Sequence, residues 1–166
     1  MKKRWICLFV ENEIGVLARI SGLFSGKSYN LNSLTVGTTE DSSVSRITIG
    51  LTSDDKTFEQ VKKQLNRSVE VIKVVDYTDI SIHMKELMFA KVNICSEKDL
   101  TELFRMSIIF NFSIIDYNRT SVLLESVQTE NRNNDLIAFL EKCYVNPIEI
   151  VRGGSVAIES LSITEC

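Results

Sequence analysis

Histidine is all but missing from this chain. His83 stands alone among 166 residues, in a polar connection beside Met84. A lone His in such a place reads as exposed or capping, and no Ser-His-Asp or Cys-His arrangement is available. Cysteine is sparse as well. Cys7, Cys95, Cys143 and Cys166 include no C-x-x-C spacing, which disfavours a structural zinc site. The first three fall within apolar patterning and are expected to be buried free thiols. No apolar run approaches the roughly 20 residues that span a bilayer. Glu11 and Glu13 interrupt the only candidate signal h-region, so a cytoplasmic location, or an organelle stroma after removal of a transit peptide, is expected. No G-x-x-x-x-G-K-[ST] phosphate loop occurs. Neither sign of charge dominates: 19 basic and 22 acidic residues leave −3. Wholesale attraction to nucleic acid or to an anionic membrane is thereby disfavoured. The acids are spread over turns and helix faces, with no isolated pair to tune as acid and base.

What the chain does have is a repeated order of elements. Apolar residues make up 44% of it, and its length suits one large domain or two of about 80 residues each. Arg4 to Val10 reads as a strand, and Gly15 to about Ser25 as a helix. Asn30 to Thr38 and Val44 to Leu51 read as a hairpin. Ser53 offers an N-cap for a helix striped by Phe58, Val61 and Leu65, and Val69 to Val75 closes the unit as a strand. The order recurs with a strand over Leu87 to Ile94 and a capping box over Ser96 to Asp99 before Leu100, Leu103 and Phe104. Two further strands span Ile108 to Tyr117 and Ser121 to Val127, and Leu136 to Cys143 marks the fourth helix. Pro147, the only proline, blocks that helix from continuing. Ile148 to Arg152 is a last strand, broken by Gly153-Gly154.

The predicted fold is therefore α+β: two tandem ferredoxin-like βαββαβ domains, each an antiparallel sheet with both helices on one face. The expected boundaries are 1–77 for the first domain, 78–83 for a linker and 84–166 for the second. Ile47, Ile49 and Leu51, with Ile6, Leu8 and Val10, look too apolar to be left wet on the open sheet face, so domain or subunit packing is expected to cover them. RNA-binding domains share this order, but the two central strands here carry Ile, Leu, Val and Thr rather than stacking aromatics.

The stretch from Val10 to Ile20 is the most informative. A strand meets the polar turn Glu11-Asn12-Glu13, and Gly15 opens the helix. The first helical turn exposes unpartnered N–H groups at the positive end of the dipole, a seat for a carboxylate or phosphate. Gly15 lets a ligand approach the backbone, and Asn12 adds an amide that both donates and accepts. A turn glycine beside a capping Asn is the plainer reading of the same residues.

Val10 to Ser25, followed by Tyr29-Asn30-Leu31-Asn32-Ser33-Leu34-Thr35-Val36 and by Ser45 to Ile49, resembles the N-terminal ACT domain of the regulatory small subunits of acetolactate synthase (acetohydroxyacid synthase). The second half resembles that family more loosely, through Lys91-Val92, Phe104-Arg105, Ile115-Asp116, Phe139-Leu140 and Val151 to Gly154. The resemblance implies a non-catalytic chain without a cofactor of its own. Thiamine diphosphate, Mg and FAD belong to the large catalytic partner, which makes the acetohydroxy acids leading to valine, leucine and isoleucine. It also implies activation of that partner, feedback inhibition by valine or another branched-chain amino acid, and ACT domains paired into a homodimer with effector sites at the seam. On that basis the effector is expected on Asn12 and on the N–H groups of Gly15 and Val16, with Asn30 and Leu31 supplied by the facing subunit. A stand-alone tandem-ACT amino-acid sensor acting on another enzyme or on gene expression is the alternative, and a small enzyme on this scaffold a weaker one. Ser28 stands where the family usually has Gly, and Ile14 where it has Pro or a smaller residue.

Overall fold

The computed structural model describes residues 1–25, 31–94 and 96–161. By their contacts they divide into two units: Met1–His83 joined by the chain from Val156 onward, and Met84–Ser155. The first βαββαβ set runs β1 (Lys2–Glu11), α1 (Val16–Ser25), β2 (Leu31–Thr38), β3 (Val44–Ser53), α2 (Asp55–Leu65) and β4 (Val71–Asp76). Its strands lie in the order β2-β3-β1-β4, with antiparallel neighbours. The second set runs β5 (Ile82–Asn93), α3 (Glu97–Phe110), β6 (Ser113–Tyr117), β7 (Ser121–Gln128), α4 (Glu130–Cys143) and β8 (Glu149–Glu159), in the sheet order β6-β7-β5-β8.

Alternation along the strands decides what the helices cover. Ile6 lies opposite Ile49 and Leu8 opposite Ile47. These residues, with Val10 and Leu51, form one buried cluster with Val16, Ile20 and Phe24 of α1 and Phe58, Val61 and Leu65 of α2. The sequence reading placed the strand residues of this cluster on the open face; they are the core beneath the helices. The helix-free face carries Trp5, Cys7, Phe9, Arg46 and Thr48, of which Cys7 and Thr48 are buried. Both faces of β1 are largely apolar, so periodicity alone could not tell which one receives the helices.

Four local expectations are corrected. Asp54, not Ser53, caps α2, its carboxylate accepting from the Thr57 N–H at 2.8 Å. Helix α3 runs through Ile108 and Ile109 to Phe110 and stops at Asn111, which adopts φ 54°. The β-branched pair that suggested a strand there is simply exposed on the helix surface. β8 continues through Gly153-Gly154 to Glu159, with Gly154 at φ 78° absorbing a turn of the backbone within the strand. Cys7 is buried as expected, but Cys143, in the last turn of α4, is exposed; Cys95 and Cys166 lie outside the described residues.

Candidate functional site

β1 delivers the chain into the turn at Glu11–Ile14, and Gly15 sits directly before α1 with φ +87°, a backbone region that L side chains rarely adopt. Its carbonyl accepts from the Arg19 N–H at 3.0 Å and so starts the helical ladder. The Val16 N–H makes a 3.3 Å bond to the Glu13 carbonyl. The N–H groups of Leu17 and Ala18 follow in the first turn, where no intrahelical carbonyl precedes them. No acidic residue occupies that first turn, so the positive end of the helix dipole keeps its attraction for an anion.

Asn12 is exposed, and three bonds tie it to the β2–β3 hairpin. Its N–H donates to the Ser43 carbonyl at 2.7 Å. Its Nδ2 donates to the Ser42 carbonyl at 2.9 Å, and its Oδ1 accepts from the Ser45 hydroxyl at 2.9 Å. The hairpin tip is itself pinned, because Asp41 accepts from the hydroxyl and then the amide of Ser43, which holds its carboxyl below the usual carboxylate range. An Asn side chain offers two hydrogens and two lone pairs. One of each on Asn12 therefore lies outside these two bonds.

The corresponding turn of the second unit is a useful contrast. Asn93, at the end of β5, accepts from the Ser121 hydroxyl at 3.0 Å and donates to the Pro147 carbonyl at 3.3 Å. The same Asn–Ser couple is thus present. The helix beyond it is closed, however. Ser96 and Asp99 form a reciprocal capping box, and Glu97 and Asp99 place negative charge in the first turn of α3. The first turn of α3 thus carries negative charge that disfavours an anion, and the first turn of α1 carries none.

Of the residues expected from sequence, Asn12, Gly15 and Val16 share one turn. The Val16 side chain is in the core, and its N–H, expected to face the ligand, is bonded to the Glu13 carbonyl. Leu31 opens β2, pairs with Leu51 and packs half-buried on the core of its own unit. Asn30 lies outside the described residues. Sequence reasoning missed Ser45, which lies 33 positions from Asn12 and carries no local signal. It also missed Arg19, whose guanidinium would stand 3.2 Å from a Cβ at Gly15 and whose Nε pairs with Glu70 at 2.5 Å. The i,i+4 spacing of Gly15 and Arg19 on a helix could have found it.

The second unit holds a buried polar cluster that the sequence did not suggest. Glu86 receives the Arg152 guanidinium on both carboxylate oxygens, at 2.9 and 2.7 Å, and the Asn133 amide at 3.0 Å. Asn133 accepts from Ser126 at 2.8 Å, and Gln128 donates to Ser126 and to the Phe110 carbonyl at the end of α3. These groups satisfy one another, which is the pattern of a structural network. A cleft of 720 Å³ opens along α3, lined by Thr101, Arg105, Ile109, Phe110 and Phe139 among others. Among the described residues no three His, Cys, Asp or Glu side chains cluster as metal ligands, and no helix is long and apolar enough to cross a membrane.

Residues 6–73 match the family described as the AHAS small subunit-like ACT domain, and residues 85–161 match the small subunit of acetolactate synthase. The chain is 40% identical over 156 residues to a probable acetolactate synthase small subunit of Archaeoglobus fulgidus, covering 94% of this chain and 96% of that one. It is 38% identical to the acetolactate synthase small subunit of Bacillus subtilis, over 93% and 89% of the two chains. The crystal structure of the acetolactate synthase small subunit from Thermotoga maritima superposes with a TM-score of 0.86 at 30% identity, over 98% of this chain and 100% of that one. With both halves matched and relatives aligned over nearly their whole length, this chain belongs to the acetolactate synthase small subunit family.

Proposed function

We propose that this chain is the non-catalytic regulatory subunit of a cytoplasmic acetolactate synthase. It binds and activates the thiamine-diphosphate-dependent catalytic subunit. It carries feedback inhibition by valine, or by leucine or isoleucine, through an effector held where two ACT domains meet. Asn12 and the first-turn N–H groups from Gly15 onward hold the zwitterion, and Asn30 and Leu31 of a second copy close the seat over the aliphatic side chain. One observation supports this reading: the α1 N-terminus is fronted by a positive-φ glycine and carries no acidic residue in its first turn, whereas the equivalent α3 N-terminus is sealed by its own capping box.

The mechanism is linkage. An amino acid that binds one arrangement of the paired domains more tightly shifts the population toward it, and only that difference in affinity reaches the catalytic partner. A coupling of about 1–3 kcal/mol is typical and changes affinity by about 5- to 150-fold. The test is reconstitution with the catalytic subunit, following acetolactate formation while valine, leucine and isoleucine are titrated. Activation on mixing and inhibition by at least one of the three are expected. A chain that neither binds the catalytic subunit nor alters its rate would rule the proposal out.

A further inference from the structure

We propose that Ser45 is the positioning residue that sets Asn12 to recognise an α-amino acid and to reject the corresponding 2-oxo acid. The inference rests on the effector site proposed above and concerns how that site reads its ligand. The Ser42 carbonyl can only accept, so it holds the Nδ2 end of the Asn12 amide at 2.9 Å. The Ser45 hydroxyl is buried and donates to Oδ1 at 2.9 Å. Together they fix which end of the amide is which and fill one hydrogen and one lone pair. The remaining hydrogen suits a carboxylate and the remaining lone pair suits an ammonium, the two charged groups of an amino-acid zwitterion. A 2-oxo acid has no ammonium to offer, and leaves that lone pair without a donor on binding. Without Ser45 the amide loses one of its two side-chain anchors, and the pairing must be organised anew each time the ligand binds.

The second unit supplies the control. Ser121 donates to Asn93 in the same way, next to a helix N-terminus that is closed to anions. Calorimetry on the full chain with L-valine, L-leucine, L-isoleucine and 3-methyl-2-oxobutanoate tests the proposal, with melting temperatures recorded in parallel. Ser45→Ala is expected to weaken the bound amino acid about 3- to 10-fold, the loss of one ordinary hydrogen bond, and to narrow the preference over the oxo acid. Ser45→Thr restores both. Ser121→Ala leaves ligand affinity unchanged, whatever it does to melting. Ser45→Ala adds nothing in an Asn12→Ala background. Should Ser45→Ala fold poorly, Ser45→Cys keeps the size with a weaker donor and carries the same expectation. Wild-type affinity and selectivity in the Ser45 variants, with Asn12→Ala impaired, overturn this inference alone. If none of the three amino acids binds the wild-type chain, or if Asn12→Ala binds them normally, the effector site itself is misplaced and the inference falls with it.

Discussion

At the scale of single residues, several side chains have little room to be anything else. Trp5 lies across Gly50, its partner on β3, so closely that a Cβ at residue 50 would fall 2.6 Å from the ring. Gly50→Ala must therefore displace the indole or the strand, and a loss of about 1–3 kcal/mol is expected, the usual cost of overpacking. Urea unfolding followed by circular dichroism measures the effect in every variant, and Trp5→Leu, which removes the only tryptophan, should largely remove the penalty of Gly50→Ala. Gly15 is constrained differently, by φ +87° and by the Arg19 guanidinium beside it. In Gly15→Asp the new carboxylate is drawn to Arg19 and competes with the effector for the first turn of α1. Valine inhibition of the reconstituted enzyme should shift to at least tenfold higher concentration, about 1.4 kcal/mol. In the second unit, Arg152→Met strands a carboxylate on Glu86 that is only 5% exposed. A fully buried ion pair broken from one side costs about 3–5 kcal/mol; with the Arg152 side chain 32% exposed the expected loss is smaller, and Glu86→Gln combined with Arg152→Met leaves no buried charge and should recover part of it.

At the scale of elements, α2 is fastened to β4 by Lys62, which bonds Asp76 at 2.7 Å. Burial alone would raise the Asp76 carboxyl, but hydrogen bonds from Lys62 and Thr78 outweigh it and hold the carboxyl below its ordinary range. Hydrogen bonds to Asp76 and Glu59 raise Lys62 in turn. A carboxyl with a depressed folded value stabilises above its unfolded value of about 4, and that stabilisation is lost as pH falls through the folded value. Asp76→Asn should thus be less stable than wild type at pH 7, with the gap closing below about pH 4; urea midpoints taken at stepped pH check the sign. Element by element, the sequence was most legible where one face was apolar and the ends were capped. The α2 stripe of Phe58, Val61 and Leu65 and the Ser96–Asp99 capping box are both as read. It was least legible where residues suit two states. Ile108 and Ile109 favour a strand by propensity yet extend α3, because Asn111 supplies the left-handed stop only after Phe110. Gly153-Gly154 looks like a break yet lies within β8. At the candidate site, the glycine-fronted turn is local and was visible, while the Ser45 bond to Asn12 depends on the hairpin register and could come only from the fold.

At the scale of the whole molecule, the effector site proposed for one chain is incomplete without a second. In the first sheet β3 and β1 are flanked on both sides, while β2 and β4 are the edges. Each edge carries apolar side chains in contact with water: Val36 on β2 is 41% exposed and Ile72 on β4 is 58% exposed. An uncovered edge of this kind is a template for strand pairing, and a lysine placed on it is an effective block. The β2 edge is the one that bears on the site. It leads through the hairpin to Ser42, Ser43 and Ser45, the residues that grip Asn12, and it begins at Leu31. Two-fold pairing along β2 would make a continuous eight-stranded sheet and bring Leu31 of one protomer toward the α1 N-terminus of its partner. Pairing along β4 would leave the α1 turn open. Val36→Lys is therefore expected to halve the mass seen by sedimentation and to abolish the valine response in the same concentration range. Ile72→Lys should leave both as they are. If Ile72→Lys is the variant that dissociates, the protomers meet along β4, and effector binding must then be completed within one chain.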